Sequence, residues 1–98
     1  MRREDAIAIL RQNAAALKAR GVCHAALFGS VARNQAGPAS DLDIMIELAP
    51  DAKLNAFDYA GLKRYIAGLF PGKVDVVNRA ALKPYLRVPA ESDAIHVF

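Results

Sequence analysis

Two aspartates separated by a single residue are the most chemically suggestive feature of this sequence. Asp41 and Asp43 begin an alternating segment, and residues at i and i+2 of a strand project from one face with Cα atoms about 6.6 Å apart. Carboxylates at this spacing can converge on hard cations such as Mg²⁺, which prefers oxygen ligands. An isolated Asp-x-Asp pair is more often an ordinary solvent-facing strand edge. Here, however, the two like charges start an apolar strand, where they would repel each other without a counter-ion.

A third aspartate stands between valines further along the chain. Asp75 lies in residues 73–78, which the pattern predicts to be an interior strand. A carboxylate inside such a strand is costly unless it is paired or bound to a metal. It can supply a third carboxylate beside the strand of Asp41 and Asp43, or form a salt bridge with Lys73 or Arg79.

A Gly-Ser pair follows the first apolar segment directly. Gly29 lets the backbone approach a ligand closely, and a helix beginning at Ser30 would present free amide protons to an anion. Arg33, one turn further on, can direct its guanidinium at the same anion. Taken alone, the pair suits an ordinary turn and helix cap just as well.

The apolar periodicity predicts the elements that must position these residues. They are a helix over 4–20 ended by Gly21, a strand over 22–28, a short helix over 30–34, a strand over 41–48, a helix over about 55–70, a strand over 73–78, a helical turn over 82–86 and a short strand over 95–98. Alternation of helices with strands predicts an α/β (α+β) fold with a sheet of three or four strands.

Length and composition restrict the class of protein. The 98 residues predict a single domain over 1–98, and 54% hydrophobic with 23% charged residues exclude a disordered chain. The one cysteine, Cys23, excludes an internal disulfide and a metal site built from cysteines, and His24 is expected to be structural. The net charge is only +3 and the basic residues are dispersed, which disfavours direct nucleic-acid binding. No apolar run could span a membrane, and a cytoplasmic protein is expected.

In combination, these motifs are far more specific than any one of them. A Gly-Ser pair, ten intervening residues, Asp-x-Asp and a later acid in a hydrophobic strand resemble the signature of the DNA polymerase β-like nucleotidyltransferase superfamily. The sequences 29–33 (GSVAR) and 40–44 (SDLDI) are most similar to the minimal nucleotidyltransferase family, the antitoxins of HEPN/MNT toxin–antitoxin pairs. The resemblance extends over essentially the whole chain and implies the nucleotidyltransferase fold, with a small mixed sheet packed with helices.

The resemblance also implies a reaction, in which AMP passes from ATP to a hydroxyl and pyrophosphate is released. Carried over by position, the metal ligands for two Mg²⁺ ions would be Asp41, Asp43 and Asp75, and the nucleotide-binding residues would be Gly29, Ser30 and Arg33. The implied partner is a HEPN-domain toxin whose tyrosine hydroxyl is the acceptor.

Two alternatives to this reaction remain open at the level of sequence. Asn34 stands where the family commonly has glycine, so a catalytically weak or inactive antitoxin that blocks its partner by binding alone is the second hypothesis. A small-molecule acceptor such as an aminoglycoside ranks last, because 98 residues leave no room for an acceptor domain.

Overall fold

Four strands form one mixed sheet in the computed structural model, which describes residues 2–29, 42–81 and 94–98. They are β1 (Val22–Phe28), β2 (Leu42–Leu48), β3 (Val74–Asn78) and β4 (Ile95–His96). In space their order is β3-β2-β1-β4. β2 runs antiparallel to β1 and parallel to β3, and β4 is antiparallel to β1. The predicted α+β fold with a small mixed sheet is confirmed.

Three α-helices accompany the sheet in the described part of the chain. They are α1 (Arg3–Gln12), α2 (Ala14–Ala19) and α3 (Ala56–Ala67), and a single 3₁₀ turn covers Arg79–Ala81. Gly21 ends α2 with a φ of 101°, as predicted. None of the described helices is long and apolar enough to cross a membrane.

The sequence predicted one uninterrupted helix over 4–20, and that prediction is wrong at Asn13. The Asn13 side-chain amide donates to the Ile9 carbonyl at 2.8 Å, and the Asn13 backbone N–H is shared between Ile9 and Leu10. Asparagine competes in this way with the backbone of its own helix. In addition, the Asn13 side-chain oxygen accepts a hydrogen bond from the Tyr65 hydroxyl at 3.3 Å, which links the break to α3.

A reciprocal cap fixes the start of α3. The Asn55 side chain accepts from the Asp58 backbone N–H at 2.8 Å, and the Asp58 carboxylate accepts from the Asn55 N–H at 3.3 Å. The two bonds satisfy amide protons that no helical carbonyl can reach. The helix ends at Ala67, earlier than the predicted Phe70.

The core lies between the helices and one face of the sheet. Alternate residues of β2, which are Leu42, Ile44 and Ile46, are at most 4% exposed and pack with buried residues of the helices. These helix residues are Leu10, Leu17, Leu62 and Ile66. Because side chains alternate along a strand, Asp43, Met45 and Glu47 point to the opposite face. The sheet therefore separates a structural face from a face that carries ionisable groups.

Two predicted elements lie outside the described residues, namely the short helix over 30–34 and the helical turn over 82–86. The single domain over 1–98 stays a prediction.

Candidate active site

The two described aspartates of the predicted site lie side by side. Asp43 of β2 and Asp75 of β3 are register partners in the parallel pair, so both side chains project from the same face of the sheet. Neighbouring strands are separated by about 4.8 Å, which brings the two carboxylates within reach of one ion. Asp43 is half-buried and Asp75 is exposed.

The strand that carries Asp75 was predicted to be interior, and this is wrong: β3 lies at the edge of the sheet formed by the described strands. Val74 and Val76 pack toward the core, whereas Asp75 and Val77 occupy the other face. A run of valines suggested burial on both faces, but only alternate residues are covered. Asp75 is thus accessible to a ligand without the burial cost that the sequence implied.

The backbone at Gly29 lies close to the Asp43 carboxylate. Phe28, the last residue of β1, is the register partner of Asp43, and Gly29 follows with a φ of 76°. A Cβ atom on Gly29 would lie 3.1 Å from Cγ of Asp43 and closer still to its Oδ2. Glycine is therefore required here both by the left-handed backbone and by the close approach to Asp43.

Three of the six predicted site residues lie outside the described residues: Ser30, Arg33 and Asp41. The other three, Gly29, Asp43 and Asp75, meet at one end of the β1–β2–β3 face. The assignment of all six to the site remains a prediction.

An open cavity of about 370 Å³ extends over the same face of the sheet. Its floor includes Ala26 and Met45, which are register partners and only 5% exposed. Its polar lining comes from His24, Glu47, Arg79 and His96. Met45 lies two residues beyond Asp43 on the same face of β2, so this floor is next to Asp43, although neither aspartate lines the cavity itself.

Glu47 organises the polar end of this cavity. Its Oε1 accepts from Nη1 of Arg79 at 3.2 Å, and its Oε2 lies 4.0 Å from Nε2 of His24. The Cys23 thiol donates to the Glu47 backbone carbonyl at 3.2 Å. These residues come from β1, β2 and the 3₁₀ turn and form no familiar motif, so their meeting was not predictable from the sequence.

The donor set of the aspartate pair fits a hard divalent cation. Asp43 and Asp75 offer only carboxylate oxygens, which Mg²⁺ prefers, and two adjacent negative charges favour a cation between them. An open face and a close-approach glycine turn leave room for a phosphorylated ligand beside the ion. The arrangement is suited to phosphoryl or nucleotidyl transfer, where catalysis depends mainly on positioning and charge neutralisation.

Comparison with known proteins agrees with this class of site. The family model described as "Nucleotidyltransferase domain" matches residues 10–97. A Methanocaldococcus jannaschii protein named "Putative protein adenylyltransferase" is 40% identical over 93 residues, with 91% of this chain and 91% of that protein covered. A second protein of the same name and organism is 34% identical over 91 residues, with the same coverage.

Solved structures give the same result for the fold. A structure of a "putative minimal nucleotidyltransferase" has a TM-score of 0.79 and 33% identity, and the match covers 97% of this chain and 95% of that one. A toxin–antitoxin structure with AMP-PNP has a TM-score of 0.69 at 20% identity, covers 100% of this chain and 73% of that one, and shows likeness of fold alone. The chain belongs to the nucleotidyltransferase domain family, in the minimal nucleotidyltransferase group. The predicted family and enzyme class are thereby confirmed.

Proposed function

We propose that this nucleotidyltransferase transfers AMP from ATP to a tyrosine hydroxyl of a partner HEPN-domain toxin and so acts as an antitoxin. The observation that carries the proposal is the register pair of Asp43 and Asp75 beside the Gly29 turn. This pair provides oxygen ligands for Mg²⁺ on the face of the sheet opposite the helices.

Relatives support both the donor and the acceptor. The two archaeal proteins are named as protein adenylyltransferases, which points to AMP as the transferred group and to a protein as its acceptor. A structural neighbour is a toxin–antitoxin assembly containing AMP-PNP, an analogue of ATP. The AMP-PNP and the toxin in that structure are the basis for proposing ATP as the donor and a toxin as the partner here.

Each predicted site residue receives a role in the proposal. Asp41, Asp43 and Asp75 hold two Mg²⁺ ions, and Gly29, Ser30 and Arg33 bind the β- and γ-phosphates. The ions would supply charge neutralisation for the triphosphate and for the developing charge in the transition state. The chain itself contributes preorganisation, because β2 and β3 fix the aspartates in register before any ligand arrives.

The proposed transfer exchanges one phosphorus–oxygen bond for another. The acceptor hydroxyl oxygen attacks the α-phosphorus, the bond from that phosphorus to the bridging oxygen breaks, and pyrophosphate leaves with its electron pair. The hydroxyl proton is released to solvent. Asp75 stands on the edge strand and is exposed, which makes it the described aspartate that an approaching acceptor reaches most readily.

The cavity beside the aspartates suits an aromatic acceptor. Its apolar floor of Ala26 and Met45 adjoins Asp43, and a methionine side chain packs favourably on an aromatic ring. An open surface of this kind admits a side chain presented by another protein. We therefore place the acceptor tyrosine over this floor, with its hydroxyl directed toward the aspartate pair.

The test is transfer of label from ATP. The protein is incubated with ATP labelled at the α-phosphate, Mg²⁺ and a purified HEPN-domain toxin encoded beside it. We expect the wild type to label the toxin and Asp43→Asn and Asp75→Asn to lose the activity by at least about 100-fold, since oriented charge stabilisation is commonly worth that much. Asp51→Asn is the matched control, because Asp51 is an exposed aspartate in the turn after β2.

Three results would contradict the proposal. They are absence of transfer by the wild type, transfer unchanged in Asp43→Asn, and labelling that survives replacement of the toxin's tyrosines by phenylalanine. Toxin neutralisation that persists in both aspartate variants would favour the binding-only antitoxin.

A further inference from the structure

A β-bulge in β1 brings together three potential metal ligands away from the aspartate pair. Val22 is the register partner of Leu48 and His24 that of Glu47, so Cys23 and His24 together oppose Glu47 on β2. Successive strand residues normally point to opposite faces, but a bulge places two residues against one and turns their side chains toward the same side. Cys23, His24 and Glu47 meet for this reason.

The ligand atoms of these three residues are spaced for a metal ion. One ligand atom from each residue lies within 4.8 Å of the others. Nε2 of His24 and Oε2 of Glu47 are 4.0 Å apart, which is too long for a hydrogen bond. Across a tetrahedral zinc ion with bonds of about 2.0–2.1 Å the same two atoms would be about 3.4 Å apart. Small side-chain rotations therefore bring the set to coordination distance.

We propose that Cys23, His24 and Glu47 form a second divalent-cation site, selective for zinc or a similar transition metal, an assignment that goes beyond the transferase function and does not depend on it. Thiolate, imidazole and carboxylate are the ligands that zinc takes in proteins. The aspartate pair offers oxygen ligands alone and suits Mg²⁺. We therefore expect Mg²⁺ at the aspartate pair and zinc at the site of Cys23, His24 and Glu47.

The surroundings support a coordinating role for Glu47. Arg79 donates to Oε1 at 3.2 Å, which orients the carboxylate and leaves Oε2 directed at His24. Outer hydrogen bonds of this kind commonly hold metal-binding carboxylates in place. The positive charge of Arg79 also weakens cation binding, so we expect a reversible site and not a permanent structural one.

The proposed site is open and separate from the aspartates. The side chains of His24 and Glu47 are 62% and 40% exposed, which admits the ion and allows water to complete its coordination. Glu47 lies four residues beyond Asp43 on β2, a distance of about 13 Å along a strand. His24 and Glu47 of the proposed site line the cavity described above, whereas neither Asp43 nor Asp75 does.

Cobalt(II) is a spectroscopic probe for this site, because a bound thiolate produces an intense near-ultraviolet charge-transfer band. The full-length protein is freed of metals, kept reduced with a phosphine and titrated with Co²⁺ in excess Mg²⁺, which occupies the oxygen-only site. We expect a band that saturates at one cobalt per chain and that zinc abolishes by displacement. Cys23→Ser should lose the band, and His24→Ala and Glu47→Gln should weaken cobalt binding by about tenfold or more.

The control is His96→Ala, since His96 lines the same cavity but is not a member of the cluster. It should bind cobalt as the wild type does. As a second measurement, Zn²⁺ in the presence of Mg²⁺ should raise the melting temperature of the wild type and of His96→Ala but not that of Cys23→Ser.

Three results would overturn the assignment. The first is absence of a thiolate band in the folded wild type. The second is saturation at half a cobalt per chain, which indicates an ion shared through Cys23 of two molecules. The third is a band and affinity unchanged in both His24→Ala and Glu47→Gln, which indicates binding to the thiol alone.

Discussion

Gly29 is the residue at which backbone conformation and candidate chemistry coincide. Its φ of 76° costs a non-glycine residue roughly 1–2 kcal/mol, and a Cβ there would press on the Asp43 carboxylate. We expect Gly29→Ala to displace that carboxylate and to lower nucleotidyl transfer far more than the small loss of stability can explain. Transfer at saturating ATP, together with urea unfolding, measures the two effects separately.

Gly72 provides the matched control for this prediction. Its φ of 92° carries a similar penalty, but a Cβ there would meet no atom within 4 Å. Gly72→Ala should therefore lose about 1 kcal/mol of stability and keep full activity below its melting temperature. Equal losses of activity in the two variants would show that strain in general, and not contact with Asp43, is responsible.

At the scale of elements, the cap of α3 is the feature whose energetic contribution is easiest to isolate. Asn55→Ala removes the side-chain acceptor for the Asp58 N–H and should lower the free energy of unfolding by about 1 kcal/mol. Asp58→Ala leaves that acceptor in place and removes only the longer reciprocal bond, so it should cost less. Chemical unfolding of both variants measures the difference, and a larger loss for Asp58→Ala would contradict this ranking.

Most helices and strands were predictable because their apolar residues recur with a clear period. β1 was predicted with its observed bounds, and Gly21 ends the first helical region as expected. The break at Asn13 was not predictable from periodicity, since the apolar stripe continues through it, whereas the break comes from a polar side chain that bonds to the Ile9 carbonyl and to Tyr65 of α3.

The part of the candidate site that lies within one strand was predictable from the sequence, whereas the contacts between strands were not. Asp43 and its face follow from alternation within β2, but the register that pairs it with Asp75 is a contact between strands. The bulge in β1 is likewise invisible in the sequence, so His24 was expected to be structural and Cys23 was assigned no role in a site. Clusters built from adjacent strands require the fold before they can be recognised.

At the scale of the whole molecule, the two faces of the sheet have different roles: residues on the helix-covered face stabilise the fold, and residues on the open face form the candidate site. Along β2, Ile44 is fully buried against the helices, whereas Asp43, its immediate neighbour, faces the candidate site. A fold of this kind can keep a constant core while the opposite face changes its ligands.

Ile44→Ala and Asp43→Asn should have opposite effects on stability and activity. Ile44→Ala leaves a cavity at the centre of the core and should lower the free energy of unfolding by roughly 2–5 kcal/mol, with transfer activity largely retained in the folded fraction. Asp43→Asn keeps the size of the side chain on the open face of the sheet and should change the free energy of unfolding by no more than about 1 kcal/mol while abolishing transfer. Urea unfolding and the labelled-ATP assay at low temperature give both quantities for each variant. If Asp43→Asn unfolded the protein as readily as Ile44→Ala does, Asp43 would be a structural residue and the division between the faces would be wrong.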